Sequence, residues 1–398
     1  MNAYFEKLGH TVLERWKRQN FSLEVFPQLA CAAIDEAPPS ANVNMAEMIH
    51  EFLSKDEQPF QSESGFGQPE LIAFNDTRFY IQILFWMDGT TEIHQHEFSG
   101  AFHVMQGSSV HSEFDFADAR AVTPHILTGD LQVKRIELLE IGRTIPITSG
   151  RACIHSLFHL DTPSVTVVIR THHDPGTGPQ YNYLPPHIAI NPLHADALTT
   201  RRRQLLDVLE TTANPDYANF VNEMMARLDF ERGFDILRHA MPYLKELDAW
   251  DAVLATFRKT HGELASGVND TLTECLRRET ITQMRRFIVN PEHRFFLALL
   301  MNVQNRADIL ALVTKRFPDR SPIETILGWA EELMEPCDFG IMLLDAVFPE
   351  TINIEIEEQS PLFIVALKHA LEGNMNRQEE LLEIQVALTN SCLRPLFS

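Results

Sequence analysis

The chain has 398 residues, a hydrophobic fraction of 44% and a formal net charge of −22. That length suggests two or three domains, with ample apolar material for their cores. The charge argues against a nucleic-acid partner or an anionic membrane, because phosphate binding needs a basic surface.

Five cysteines (Cys31, Cys153, Cys275, Cys337, Cys392) are scattered, and no C-x-x-C occurs. That usage points to reduced thiols in a cytoplasmic protein, not to a disulfide framework or a zinc finger. The first twenty residues carry charges throughout and no apolar core, so neither a signal peptide nor a membrane span is expected. Basic runs at Arg201-Arg202-Arg203, Arg277-Arg278 and Arg285-Arg286 read as solvated helix faces.

In chain order, residues 1–59 read as helices. Tyr4, Leu8, Val12, Leu13 and Trp16 recur at helical spacing. A second helix is expected from Phe21 to Ala33, ended by Pro38-Pro39. Asn44 caps a third, from Met45 to Leu53. Gln61 to Gln68 reads as a loop. From Glu70 the period changes to short β-rich runs: Leu71–Phe74, Phe79–Trp86, Gly100–Gln106, Ser109–Phe116, His125–Leu127, Val133–Glu140, Ile145–Ile147, Cys153–Leu160 and Val165–Thr171. Many short strands with turns between them indicate a sandwich or barrel. A Pro/Gly-rich loop follows, through Tyr181 and Tyr183 to Pro186. After about residue 195 strand signals nearly vanish, and amphipathic helices follow one another from Arg201 to Cys392. One is expected at Ile341–Phe348, and Ser321 and Asn376 serve as caps. The fold expected is α+β and multidomain: an N-terminal helical lead-in (1–69), a β-barrel (70–194) and an all-helical domain (195–398).

The histidines mark the chemical half, since eleven of 17 fall between His94 and His194. His94 and His96 form a His-x-His pair after the turn at Asp88-Gly89. Side chains two apart on a strand share a face, so both imidazoles can aim at one point. His155 arrives on a later strand. Three convergent neutral imidazoles make a metal site with open positions. Glu92 shares their face at the start of the strand and is a candidate further ligand or support. His103, in alternation with Ala101 and Met105, and His159, four residues after His155, are candidates to support the ligands from behind. His111 and His125 read as structural. Arg170, sharing a face with Val168 and His172, is the best pocket cation, and it could hold a carboxylate bidentately. Tyr181 could supply a phenol at the barrel mouth.

The stretch Phe79 to Gly107 resembles the first metal motif of the cupin superfamily, and within it the cysteine dioxygenase type of thiol dioxygenase. The shared features are an apolar strand ending in Trp86, the Gly turn, Ile93-His94-x-His96, a small residue at Ala101 and a strand closing at Gly107. His155, placed before Asp161-Thr162-Pro163, matches the second motif. The resemblance covers about residues 30–175 and leaves the helical half outside it. It implies a jelly-roll barrel and an Fe(II) centre held by His94, His96 and His155. It implies a thiolate and dioxygen bound side by side, with both oxygen atoms ending on sulfur. Many cupins add a Glu four or five residues after the second His; Gly100 and Ala101 stand there and cannot ligate. The family's Ser-x-His-x-Tyr run is replaced by Val168, Arg170 and His172, and its crosslinking Cys by Ala101.

Two other readings follow from the same residues. One is a Zn(II) or Mn(II) cupin isomerase or hydrolase. The other is a non-catalytic barrel that senses a ligand or metal, with the helical half as an interaction module. Expected partners are a small-molecule or carrier- or peptide-linked substrate and dioxygen, with oligomer or protein contacts through the helical domain. On this reading, a chain ended near Pro192 keeps its metal and loses turnover.

Overall fold

A computed structural model describes residues 3–56, 59–61, 66–87, 89–334, 356–374, 379–389 and 391–397. Four helices come first: α1 (Ala3–Arg18), α2 (Phe26–Glu36), α3 (Pro39–Asn42) and α4 (Met45–Ser54). The helical spacing in α1 buries Phe5, Leu8, Val12 and Trp16 along one stripe. α2 starts at Phe26, later than its apolar spacing suggests. Asn20 and Phe21 take positive φ (51° and 57°) and reverse the chain after α1, and Pro27 then suits the first helical turn. Asn44 caps α4 by accepting a hydrogen bond from the Glu47 amide.

Eleven strands follow: β1 (Glu70–Asn75), β2 (Phe79–Trp86), β3 (His94–His96), β4 (Gly100–Gln106), β5 (Ser109–Thr123), β6 (Ile126–Leu139), β7 (Thr144–Ile147), β8 (Gly150–His159), β9 (Ser164–Thr171), β10 (Asn182–Leu184) and β11 (Ile188–Ile190). One sheet has the order β1-β2-β9-β4-β7, and the strands β10-β11-β6-β5-β8-β3 close into a barrel. This architecture is cupin-like. The N-terminal helices cover the outer face of the five-stranded sheet, against Leu71, Ile81, Ile83, Ala101, Val167 and Ile169. The opposite parity of the same strands (Leu84, Trp86, Phe102, Val104, Val168) points inward.

Four strands differ from expectation. β5 and β6 run on past their apolar segments as one long antiparallel pair, from Ser109↔Leu139 to Thr123↔Ile126. β10 and β11 lie in the stretch read as loop. They pair with each other and join His94 on one side to β6 on the other.

The rest is helical: α5 (Ala197–Thr211), α6 (Tyr217–Met225), α7 (Phe230–Glu246), α8 (Trp250–His261), α9 (Val268–Phe287), α10 (Pro291–Asn302), α11 (Arg306–Arg316), α12 (Pro322–Met334), α13 (Ile356–Glu372) and α14 (Glu379–Thr389). α7 continues through Pro242 instead of ending at Ala240. Burial of Met241 and Leu244 offsets the hydrogen bond that proline forfeits. The helix expected at 341–348, the cap at Asn376, Cys337, Asp88 and part of the loop before Gln68 lie outside the described residues.

The helices do not pack into a core of their own. One cluster joins α9 to α14 with Val110, Phe158 and Leu160 of the barrel region, and another joins α5 to α9 with Ile126, Leu184 and Ile188. Arg285, expected on a solvated face, is 0% exposed and donates two hydrogen bonds to the His159 carbonyl, at 3.0 and 2.8 Å. Arg294 reaches the Leu160 carbonyl and Thr162 Oγ1. Among the described residues no helix is long and apolar enough to cross a membrane.

Candidate metal centre

The register of β3 on β8 sets His94 directly opposite His155. Cross-strand partners of that kind hold their side chains within contact distance. His96 joins them two residues along, and the ring centroids stand 4.6, 5.0 and 4.9 Å apart. The rings close one side of a cavity of about 40 Å³ between the two sheets. Its other walls are Leu84, Trp86, Phe98, Phe102, Leu157 and Val168, with Gln82, Thr91 and Thr166 as the remaining polar side chains.

All three histidines are 5% exposed or less. Burial holds the His94 pKa below its usual value. It holds those of His96 and His155 well below theirs, reinforced by the repulsion between neighbouring imidazoles. The rings are therefore neutral at physiological pH, and neutral imidazole is the form that ligates a cation.

The hydrogen bonds assign where the lone pairs of His94 and His155 point. His94 Nδ1 donates to the Glu92 carbonyl at 2.8 Å, which leaves the buried Nε2 as an acceptor with no protein partner. Behind His155, His111 Nε2 lies 2.9 Å from His155 Nδ1, and His111 Nδ1 faces Glu137 Oε1 at 3.5 Å. The carboxylate favours a proton on His111 Nδ1. His111 Nε2 then accepts from His155 Nδ1, and the His155 Nε2 lone pair is turned into the cavity. There it meets His96 Nε2 at 2.8 Å. A single N–H between those two atoms would leave His94 Nε2 orphaned. A shared cation would use all three nitrogens, and 2.8 Å is close to the spacing of adjacent ligands around an ion held at about 2.0–2.1 Å. The donor set therefore fits a divalent transition metal, and among the described residues no carboxylate joins it.

The other expected residues are dispersed. The Glu92 carboxylate is exposed, and this residue gives the triad its backbone carbonyl instead. Arg170 stacks on Phe98 at 3.5 Å, and Phe98 in turn stands against His96, so the guanidinium lies behind the cavity wall. His172 is exposed and meets the Asp76 carbonyl at 2.8 Å. Tyr181 donates to the Pro124 carbonyl and lines a separate cavity with Gln95, Gly150 and Arg151. His103 does alternate with Ala101 and Met105, but that parity faces the N-terminal helices. It bonds Thr144 and Ser40 there, and burial pushes it down to about 4. His159 points inward beyond Trp86, stacked on it at 4.8 Å and hydrogen-bonded to Ser109, with its pKa lowered to about 3. Burial raises the Cys153 thiol to about 11, which makes it a poor nucleophile.

Sequence reasoning missed two residues. Gln82 carried a signal, a lone amide in an apolar strand at the parity of Leu84 and Trp86. His111 carried none, because its contact with His155 depends on the β5–β8 register.

No family model matches the chain, and no curated protein matches it. Among solved structures, a crystal structure of hydroquinone 1,2-dioxygenase PnpCD in complex with Cd2+ and 4-hydroxybenzonitrile is 15% identical. That match covers 31% of this chain and 71% of the other, with a TM-score of 0.21. The capsular polysaccharide assembling protein CapF from Staphylococcus aureus is 20% identical over 30% of this chain and 32% of its own, with a TM-score of 0.18. Likenesses of that depth carry no function across. What the chain itself shows is a cupin-like barrel with a buried triad of histidines suited to a metal ion.

Proposed function

We propose that His94, His96 and His155 hold one divalent metal, and that the protein is a mononuclear non-haem dioxygenase, with Fe(II) as the metal and a thiol as the group oxidised. The observation that carries this reading is the convergence of three buried, neutral imidazoles with Nε2 of His94 unpartnered. An all-histidine set leaves the bound ion its full double positive charge, which favours an anionic sulfur ligand. When bound, the metal would supply adjacent positions for the thiolate and dioxygen, whose two oxygen atoms both end on sulfur to give a sulfinate.

The chain contributes orientation and exclusion of water. Trp86, Phe98, Phe102 and Leu157 keep the cavity dry, and the Gln82 amide is the polar group placed to orient what enters. A volume of about 40 Å³ admits a thiol terminus and a diatomic molecule but not a whole amino acid. Among the described residues no charged side chain lines the cavity, so the ammonium and carboxylate of free cysteine would meet no counter-charge from them there. A thiol at the tip of a longer, carrier- or peptide-linked molecule fits better. Phe66, 42% exposed and edge-on to Trp86 at 5.3 Å, marks where that molecule would leave the cavity.

The test is the metal content of protein purified anaerobically, beside His94→Ala, followed by oxygen uptake with peptidyl thiols and with free cysteine. Near-stoichiometric iron that the variant loses, with thiol-dependent uptake, is the expected result. Zinc or manganese without uptake would shift the assignment to an isomerase or hydrolase. No metal in either protein would leave a binding barrel.

A further inference from the structure

Arg277 and Arg278 were expected on a solvated helix face. Instead both line an open cavity of about 370 Å³ where α9 and α10 meet the outside of the barrel, and Arg394 lines it from the C-terminal end of the chain. The two neighbours on α9 are used differently. Arg277 is fully engaged. Its Nε and one terminal nitrogen grip both oxygens of Glu274 at 2.7 Å, and its other donors reach the carbonyls of Leu300, Met301 and Cys392. It is a neutralised structural tie.

Arg278 donates one hydrogen bond, from a terminal nitrogen to the Met301 carbonyl at 2.8 Å. Among the described residues no carboxylate pairs with Arg278 or with Arg394. With Glu274 as the one carboxylate among the described lining residues and Arg277, Arg278 and Arg394 as cations, the cavity carries a net excess of two guanidinium charges, in a chain whose net charge is −22. Desolvation lowers the Arg278 pKa, which is the cost a bound counter-charge would relieve. The wall opposite is apolar, built from Phe114, Leu131 and Val133 of β5 and β6. A cavity of this size with convergent polar groups on an apolar wall is the usual form of a small-ligand site.

We propose that this cavity binds a small organic anion, its carboxylate or phosphate held by Arg278 and Arg394 and its apolar body laid against Phe114 and Val133. Guanidinium groups suit planar carboxylates and phosphate oxygens alike, so both headgroups satisfy the same chemistry. The site is separate from the histidine triad and does not depend on a metal.

The test is calorimetric titration of the full-length protein with phenyl phosphate, benzoate and inorganic phosphate, repeated with Arg394→Gln and Arg278→Gln. The expected result is saturable binding of phenyl phosphate or benzoate, tighter than inorganic phosphate and weakened about tenfold or more in each variant. Preference between the two aromatic probes identifies the headgroup. Arg394 is exposed and its side chain holds no other group among the described residues, so its variant decides the matter even if Arg278→Gln fails to fold. No saturation with either aromatic anion, binding of inorganic phosphate alone, or affinity unchanged in a folded variant overturns the proposal.

Discussion

His94 and His111 act on the same centre from different distances, and their substitutions should separate accordingly. His94→Ala removes a ligand atom, so metal should be absent at stoichiometric loading. His111→Leu leaves all three nitrogens in the cavity but removes the acceptor that fixes the His155 tautomer. Outer partners of that kind typically matter by about 10–100-fold in metal affinity, so competition with a chelator should show a loss in that range. Wild-type affinity in His111→Leu would mean that β8 alone orients His155. His103 and His159 predict a pH dependence. Their folded pKa values, about 4 and about 3, lie below the ordinary histidine value of 6.5 because the rings are buried. The unfolded chain therefore binds more protons between those limits. The stability this gives is complete above 6.5 and is lost as pH falls toward 4 and 3, at up to about 1.4 kcal/mol per pH unit for each group. Urea unfolding of metal-free protein between pH 7 and 4 should show the decline, with a shallower slope in His103→Gln. Identical slopes would remove His103 from the account.

At the scale of the element, β4 explains why no carboxylate from Gly100 could join the histidine triad. Gly100 lies so close to β9 that an added Cβ would sit 1.9 Å from the Ile169 carbonyl oxygen. No carboxylate can be carried there, four residues after His96. Gly100→Ala should push β4 off β9 and cost about 2–3 kcal/mol, read as a lowered urea midpoint; an unchanged midpoint would show that the strands can part without penalty. The elements legible in the sequence were those with a strong apolar signal. β2 and β9 are apolar runs buried on both faces, and α1 and α4 carry an apolar stripe with the Asn44 cap at α4. The remainder of the fold was hidden for local reasons. The far halves of β5 and β6 are mostly half-buried, with Asp118, Arg120, Ala121, Asp130 and Gln132 exposed, so their residues need not alternate strictly. β10 and β11 are three residues each and are strands only because His94 and β6 supply their partners. Alternation grouped His103 correctly with Ala101 but could not say which side of β4 was inside. For the site, the pattern held the three histidines, while Arg170, His172 and Tyr181 were placed by spacing alone and lie beyond the cavity wall.

At the scale of the molecule, the barrel and the helical half are joined through core and backbone, which reverses the expectation for a chain ended near Pro192. Val110, Phe158 and Leu160 are at most 2% exposed because α9 to α14 cover them, and Ile126, Leu184 and Ile188 are covered by α5 to α9. Removing the helices would return six apolar side chains to water. At roughly 1.5–3 kcal/mol each, that is on the order of 10 kcal/mol, as large as the whole stability of a typical domain. The backbone would suffer too, since Arg285 and Arg294 hold the carbonyls of His159 and Leu160 at the end of β8, the strand that carries His155. A chain of residues 1–192 should therefore be insoluble, or lack a cooperative unfolding transition, and should hold no metal. Circular dichroism melting with metal analysis on the same sample would read both. A soluble fragment that melts cooperatively and keeps stoichiometric metal would show instead that the barrel is self-sufficient. The helices would then be free to serve substrate presentation alone, and loss of turnover in that fragment would measure how much they contribute to it.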